Sequence, residues 1–170
     1  MKAIKIIVTI LIIITVVFFG TGLIVKQSDY VVEVKVDKPI SEVFKMFNDQ
    51  STVKDWIPEF LSIDAIDIKE GVTGSIYDIT VDNKGQKSKI RERILAYVEN
   101  EKVTFSFDRE GVFKTDDYIF KGDGTKTTIV LNSSYQAKSY IFACVLPYFK
   151  GTFKELDQKY LNNFKAFAEK

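Results

Sequence analysis

The chain has 170 residues, 46% of them hydrophobic and 28% charged, with 24 Lys and Arg against 23 Asp and Glu. This balance argues against nucleic-acid binding, which depends on clustered basic side chains. The chain has no histidine and one cysteine, Cys144, which excludes Ser-His-Asp and Cys-His catalytic sets, Cys/His zinc sites and a disulfide framework within it. We therefore predict no catalytic set of these kinds, no metal site and no cofactor.

The chain begins with an apolar run, residues 6–25, that contains no charged side chain. A run of about 20 such residues is long enough to cross the hydrocarbon core of a bilayer. Lys2 and Lys5 precede it, so the positive-inside rule predicts a cytoplasmic N-terminus and an extracytoplasmic domain. The alternative is a signal peptide cleaved near Gly20 and Gly22, which would yield a secreted protein.

The next elements are one strand and two short helices. Residues 30–36 (YVVEVKV) alternate between valine and other side chains, which predicts a strand. Residues 39–47 predict a short helix that starts at Pro39 and turns Val43, Phe44 and Phe47 to one side. A second helical turn is expected before Trp56-Ile57-Pro58, where proline favours an extended chain.

From residue 61 the apolar period falls to two, which is typical of strands. Turn signals containing Gly, Asn or Asp separate the segments at hairpin spacing, so we predict an antiparallel meander. The predicted strands are residues 61–69, 74–81, 88–98, 103–109, 112–120 and 127–137.

The last segment, residues 139–170, carries apolar side chains at helical spacing. Pro147 should kink this helix or mark its true start. The apolar stripe needs a partner, and the concave side of the predicted sheet is the largest one available. The predicted stripe consists of Phe142, Val145 or Leu146, Phe149, Phe153, Leu156, Tyr160, Phe164 and Phe167.

These elements predict an α+β fold: a curved seven-stranded antiparallel sheet, two short helices and a long C-terminal helix, preceded by one transmembrane helix. The predicted domains are an N-terminal anchor, residues 1–27, and a globular domain, residues 28–170. Because a straight helix cannot follow a bent sheet along its entire length, we expect an apolar cavity between them.

The globular part also resembles a known superfamily. Residues 34–44 (VKVDKPISEVF) join a strand to a helix with the pattern Pro-x-x-x-Val-Phe, and Asn48-Asp49 and Trp56-Ile57-Pro58 follow. This opening, together with the closing helix over residues 149–165, resembles the START-like (SRPBCC) superfamily, which includes polyketide cyclase/dehydrase-like and Bet v 1-like proteins. The resemblance, over residues 30–170, implies a helix-grip fold with a cavity for lipids, sterols, polyketides or other hydrophobic small molecules. The superfamily shares no catalytic residue set, so none is transferred.

Candidate ligand-binding side chains are the aromatic and aliphatic residues that would face the cavity. The same residues could form an ordinary core, since pocket wall and core are one surface in this fold. The candidates are Trp56, Tyr77, Phe105, Phe107, Tyr118, Tyr135, Phe142, Leu146, Phe149 and Phe153.

Four charged residues could matter if they point inward. Arg91 and Arg93 share one strand face and could bind an anionic ligand group, but we expect them to point to solvent. Asp116 and Asp117 lie on opposite strand faces, and we expect both to be exposed edge charges, since an unpartnered buried carboxylate is costly.

The functional prediction is a membrane-anchored domain that binds a hydrophobic small molecule or lipid and performs no covalent chemistry. One alternative is a cyclase- or dehydratase-like enzyme in which Asp117, Arg91 and Tyr118 do acid/base work. Another is a structural module with a filled core and no ligand. The sequence does not indicate a protein partner.

Overall fold

The computed structural model describes residues 2–170. Helix α1 (Lys2–Ile24) is long and apolar enough to cross a membrane, as the composition predicts; Met1 of the predicted anchor lies outside the described residues. Only Val25 and Lys26 separate α1 from strand β1 (Gln27–Val36). The side chains of β1 alternate strictly between exposed and buried along its length.

Two short helices follow β1, as predicted. Helix α2 (Ile40–Phe47) starts one residue after Pro39 and buries Val43, Phe44 and Phe47. A 3₁₀ turn over Gln50–Thr52 leads into α3 (Val53–Trp56).

The remaining strands form the predicted meander. The sheet order is β1-β7-β6-β5-β4-β3-β2, with antiparallel pairing throughout. Strand β1 lies beside β7, so the first and last strands in the chain are neighbours. The strands are β2 (Phe60–Asp67), β3 (Ile76–Asn83), β4 (Gln86–Val98), β5 (Lys102–Arg109), β6 (Val112–Gly122) and β7 (Thr127–Ala137).

The turn between β3 and β4 explains one of the turn signals that contain Gly, Asn or Asp in the sequence. Asn83 pairs with Gln86, which leaves Lys84 and Gly85 as a two-residue loop. Both have positive φ, 56° and 89°, the backbone of a type I′ turn, whose twist matches that of the flanking strands.

The C-terminal segment is helical but not a single rod. Helix α4 (Tyr140–Val145) is followed by a 3₁₀ turn over Leu146–Phe149 and then by α5 (Lys150–Ala168). Pro147 lies in the 3₁₀ turn, and it breaks the α-helical hydrogen bonding there because it has no backbone donor.

The predicted apolar stripe is correct for only part of α5. Phe164 is buried, and Phe153, Tyr160 and Phe167 pack at the edge of the core, but Leu156 is exposed. The inner face instead includes Asp157 and Leu161. A carboxylate therefore lies on the inner face, one position after the leucine that the prediction placed there.

The densest part of the core is aromatic. The ring of Phe47 lies 5.3 Å from Trp56, 5.3 Å from Phe120 and 5.2 Å from Phe164, measured between centroids. These contacts join α2, α3, β6 and α5. They hold one end of α5 on the concave face of the sheet.

Candidate functional site

A group of polar side chains is buried on the concave face, beneath α5. Strand pairing places Asp116, Ser133 and Tyr30 in one row across β6, β7 and β1. Lys114 lies two residues before Asp116, so it is on the same face. Asp157 reaches the same point from α5. We call Tyr30, Lys114, Asp116, Ser133 and Asp157 the Lys114 cluster.

The cluster is closely hydrogen-bonded. The ammonium of Lys114 lies 2.7 Å from Oδ2 of Asp116 and 2.7 Å from Oδ2 of Asp157. The hydroxyl of Tyr30 donates to Oδ2 of Asp157 at 2.6 Å, and that of Ser133 donates to Oδ1 of Asp116 at 2.7 Å. Each of the two carboxylates therefore has one cationic and one hydroxyl partner.

The charges in the cluster do not cancel, because one lysine faces two aspartates. Burial alone would lower the pKa of Lys114, but Asp116 and Asp157 raise it above its ordinary value, so the ammonium stays charged. Burial raises the pKa of Asp116, with Lys114 opposing the rise and Asp157 adding to it. Burial is also the main reason why the pKa of Tyr30 is raised. Tyr30 is therefore a hydrogen-bond donor at neutral pH.

Glu92 lies beside the cluster without a partner. Strand pairing puts it in a second row, Tyr77–Glu92–Phe107–Lys114, across β3, β4, β5 and β6. Its side chain is 7% exposed and makes no hydrogen bond or ion pair with any other residue from 2 to 170. Burial, and then the charge of Asp116, raise the pKa of Glu92 to about 7 from its ordinary 4.5. Glu92 can thus accept or release a proton near neutral pH.

Several predicted ligand-binding residues surround these polar groups. Tyr77 and Phe107 flank Glu92 in its row, and the Phe105 ring lies 6.0 Å from Phe107 and 6.0 Å from Tyr118. The ring of Tyr135 lies 6.1 Å from Tyr30 and 5.1 Å from Phe153.

Phe105, Phe107 and Tyr118 are only half-buried, although they face the concave side. The polar groups thus lie in a largely aromatic and incompletely covered surface.

The other predicted residues lie elsewhere. Trp56 belongs to the aromatic core against Phe47 and Phe164. Leu146 is buried, and its carbonyl oxygen lies 3.5 Å from the Tyr135 hydroxyl. Phe142 and Phe149 are exposed, the Phe142 ring lies over Gly111 in the β5–β6 turn, and neither is brought to the Lys114 cluster.

The expectations for charged residues were right for the arginines and wrong for Asp116. Arg91 and Arg93 are exposed, and Arg91 pairs with Asp78 at 2.9 Å. Asp117 is half-buried and contacts Thr104 and Lys102. Asp116, expected at the surface, is 3% exposed. The expectation failed because it assumed that no partner was available, and Lys114 supplies one.

Five polar residues of this site were not among the sequence candidates: Tyr30, Glu92, Lys114, Ser133 and Asp157. The signal for Glu92 is its period-two spacing from Ile90 and Ile94, which places a carboxylate on the apolar side of β4. The signal for Asp157 is its helical spacing from Phe153 and Leu161. Neither carboxylate is among the residues that the sequence analysis considers.

Two concavities stand out in the part of the chain that the structure describes, and neither lies between α5 and the Lys114 cluster. One, of about 10 Å³, is a crevice between the start of β1, the end of β7 and the 3₁₀ turn. The other, of about 660 Å³, is an open depression along the outward side of α5, lined by Gly151, Lys154, Glu155, Gln158, Lys159, Asn162 and Asn163.

Comparison with solved structures supports the helix-grip architecture. The structure of Ara h 8.0201 matches with a TM-score of 0.69 at 15% identity, over 84% of this chain and 97% of that one. The ZhuI aromatase/cyclase from Streptomyces sp. R1128 matches with a TM-score of 0.69 at 14% identity, over 84% and 94%.

A third match is norcoclaurine synthase from Thalictrum flavum, solved in complex with dopamine and hydroxybenzaldehyde. It matches with a TM-score of 0.57 at 14% identity, over 82% of this chain and 88% of that one. Identities this low establish a shared fold alone.

Sequence comparison identifies the family. No curated protein sequence gives a significant match. The profile described as polyketide cyclase / dehydrase and lipid transport matches residues 27–169, which is nearly all of the chain after α1. The chain therefore belongs to the polyketide cyclase/dehydrase and lipid transport family, within the START-like (SRPBCC) superfamily.

Proposed function

We propose that this protein binds a hydrophobic small molecule or lipid on the concave face of its sheet, with the apolar part of the ligand over β3–β6 and its polar end at Glu92. The observation that carries the proposal is Glu92 itself. A buried carboxylate without a partner is destabilising, and such groups are concentrated at functional sites. Its carboxyl oxygens are not among the side-chain atoms that are fully enclosed without a partner, so a bound polar group would replace water as their hydrogen-bond partner.

The surface around Glu92 is suited to an apolar ligand. Phe105, Phe107 and Tyr118 are only half-buried, so each retains apolar area that a ligand could remove from water. Complete burial of a large apolar side chain contributes roughly 1.5–3 kcal/mol, and a half-buried ring would gain part of this. Neither prominent concavity lies there, so the ligand would lie on this incompletely covered aromatic surface.

The proposed setting is a membrane. Helix α1 would anchor the protein, residues 28–170 would form the binding domain, and Lys2 and Lys5 would keep the N-terminus in the cytoplasm. The ligand would then be taken up at the extracytoplasmic surface. Cleavage near Gly20 and Gly22 would instead release the domain, and mass analysis of the mature N-terminus distinguishes the two cases.

Native mass spectrometry of the full chain, released from detergent micelles, tests the binding proposal. We expect a discrete adduct that survives activation sufficient to remove detergent. Phe107→Ala should weaken retention of the adduct, while Phe113→Ala, which truncates an exposed ring one strand away, should not. If wild type, Phe107→Ala and Phe113→Ala are all detected only at the mass of the polypeptide, without an adduct, the proposal is wrong.

A second candidate function is acid/base catalysis on the bound molecule. It is favoured by Glu92, which can exchange a proton near pH 7 and lies on the same sheet face as the charged Lys114, two strands away. An acid whose pKa is close to the working pH is effective in both directions of proton transfer. Of the three residues predicted for this role, Arg91 and Asp117 do not lie in this arrangement, whereas Tyr118 lies on the same face, with its ring 6.0 Å from that of Phe105.

Glu92→Gln separates the two functions. The amide keeps the size and hydrogen-bonding capacity of the side chain but cannot exchange the proton. The ligand extracted from the adduct would be incubated with each protein. If the protein is an enzyme, wild type should convert the ligand to a species of different mass or retention time. Glu92→Gln should bind the ligand and leave it unchanged. Equal behaviour of the two proteins would exclude Glu92 as a catalytic residue.

A further inference from the structure

The segment Tyr140–Phe149, which comprises α4 and the 3₁₀ turn, carries exposed apolar side chains without any charge. Ile141 and Tyr148 are each 60% exposed, Phe149 is 48% exposed and Phe142 is 44% exposed. Large apolar patches of this kind on a folded surface indicate an interaction site. We refer to these four side chains as the α4 patch.

The segment that carries the patch lies against the end of the predicted transmembrane helix through Tyr140 and Tyr148, while the Phe142 ring packs over Gly111 in the β5–β6 turn. The hydroxyl of Tyr140 donates to the carbonyl of Phe19 at 2.7 Å, and their rings stack with centroids 6.3 Å apart. The hydroxyls of Thr21 and Tyr148 are 3.1 Å apart. Helix α1 thus contacts both α4 and the 3₁₀ turn within its last two turns.

Gly22 makes this contact close. A Cβ atom added at Gly22 would lie 2.5 Å from Sγ of Cys144 and 3.0 Å from its backbone nitrogen, whereas one added at Gly20 would meet nothing within 4 Å. The absence of a side chain at Gly22 therefore allows α4 to pack directly on α1. This fixes the depth of the α4 patch relative to the helix.

The connection from α1 to the domain is too short to hold the patch away from a membrane. Only Val25 and Lys26 separate α1 from β1, and two residues span about 7 Å at most. If α1 crosses a bilayer, its last two turns lie at the boundary between acyl chains and headgroups. The side chains packed beside those turns must lie there too.

We infer that the α4 patch inserts into the same leaflet from which α1 emerges, so that the protein is held both by a spanning helix and by an interfacial segment. Exposed Phe, Tyr and Ile side chains have the chemistry of such segments. Lys26 and Lys150 at its borders would face the headgroups. This inference rests on the proposed membrane anchorage by α1, but it does not require that the protein binds a ligand.

Spin labels measure the depth directly. The sole cysteine would be removed as Cys144→Ala, and single cysteines introduced as Phe142→Cys, Phe149→Cys, Ile12→Cys and Glu99→Cys in the full chain. Ile12 lies within α1, while Glu99 lies in the β4–β5 turn, at the end of the sheet opposite the start of β1. The labelled proteins would be placed in vesicles of palmitoyl-oleoyl phosphatidylcholine.

The inference predicts that labels at Phe142 and Phe149 collide preferentially with oxygen, as the label at Ile12 does, with an oxygen-to-nickel-chelate ratio several-fold above that at Glu99. A ratio equal to that at Glu99 would overturn it. Protection from both reagents would also overturn it, because the patch would then be covered by protein. An oxygen-to-nickel-chelate ratio at Ile12 as low as that at Glu99 would also refute the membrane anchor. Ligand binding is tested independently, by the adduct in native mass spectrometry.

Discussion

Lys114 on β6 and Asp157 on α5 are 43 positions apart in the chain, and their charged atoms are 2.7 Å apart. This ion pair connects the middle of the sheet to the inner face of the helix that covers it. It also places the only ammonium of the Lys114 cluster between two carboxylates. The helix is therefore attached by charge at the place where the fold would ordinarily use apolar packing.

Removing this ammonium should be costly. Lys114→Met leaves Asp116 and Asp157 buried together without a cation, and breaking a buried pair in this way costs about 3–5 kcal/mol. Urea denaturation of the full chain, followed by the fluorescence of Trp56, measures the loss. Lys126→Met is the matched control, since Lys126 pairs with Asp37 at an exposed site, and it should leave the midpoint unchanged. Equal midpoints for both variants would contradict the assigned role.

The hydroxyl of Tyr30 should contribute measurably to stability. Tyr30→Phe removes the 2.6 Å hydrogen bond to Asp157, and bonds to charged groups are worth about 1.5–3 kcal/mol. Tyr77→Phe is the control, because the Tyr77 hydroxyl has no side-chain hydrogen bond within residues 2–170. We expect a lower urea midpoint for Tyr30→Phe and little change for Tyr77→Phe. A lower midpoint for Tyr77→Phe than for Tyr30→Phe would show that the cluster does not hold the Tyr30 hydroxyl.

Stability should fall as the pH rises through the range in which Glu92 titrates. The pKa of Glu92 is about 7 in the folded chain against an ordinary value of 4.5, so the native state binds more protons than the unfolded state between these values. The destabilisation is absent below pH 4.5 and complete above about pH 7, where it amounts to about 3 kcal/mol.

Glu92→Gln should remove this part of the pH dependence and raise the free energy of unfolding at pH 8. Glu101→Gln, at an exposed turn, should retain the wild-type slope. The titration of Asp116 remains in all three proteins, so the difference between wild type and Glu92→Gln reports Glu92 together with its interaction with Asp116. Parallel curves for wild type and Glu92→Gln would mean that Glu92 is solvated or partnered in the folded chain.

The packing of α1 on α4 can be tested through the sole cysteine. Gly22→Leu should force α4 away from α1, because even a Cβ atom would meet Cys144, and should thereby speed maleimide labelling of the buried Cys144 thiol. Gly20→Leu adds the same bulk where space is open and should leave labelling slow. Full labelling in urea establishes that the thiol is reactive in each variant. Equal slow rates in both would argue against the contact.

The architecture could be predicted because its signals are periodic. The period of two from residue 61 onward, the turn residues and the apolar spacing of the last segment each reflect a local rule that the fold obeys. The break at Pro147 was also foreseeable from its missing donor. Errors of a few residues at strand ends reflect tertiary pairing, which local patterns do not contain.

The polar site could not be predicted in the same way, because its members are defined by long-range pairing. Asp116 was assigned to the surface on the argument that a buried carboxylate needs a partner, and the argument is sound. Lys114 lies two residues before Asp116 on the same strand face, whereas Ser133 becomes apparent as a partner only when the register of β6 and β7 is known. Likewise, Leu156 and Asp157 compete for the inner face of α5, and Lys114 on the sheet explains why the aspartate occupies it.

The most direct measurement of the ligand site is the ¹³C resonance of the Glu92 carboxyl group in the full chain, recorded with the co-purified ligand in place and after its removal. The assignment comes from the Glu92→Gln variant. We predict that removing the ligand shifts this resonance, while the carboxyl resonance of exposed Glu155 stays in place. An unchanged Glu92 resonance in a sample shown to have lost its ligand would contradict binding at this site.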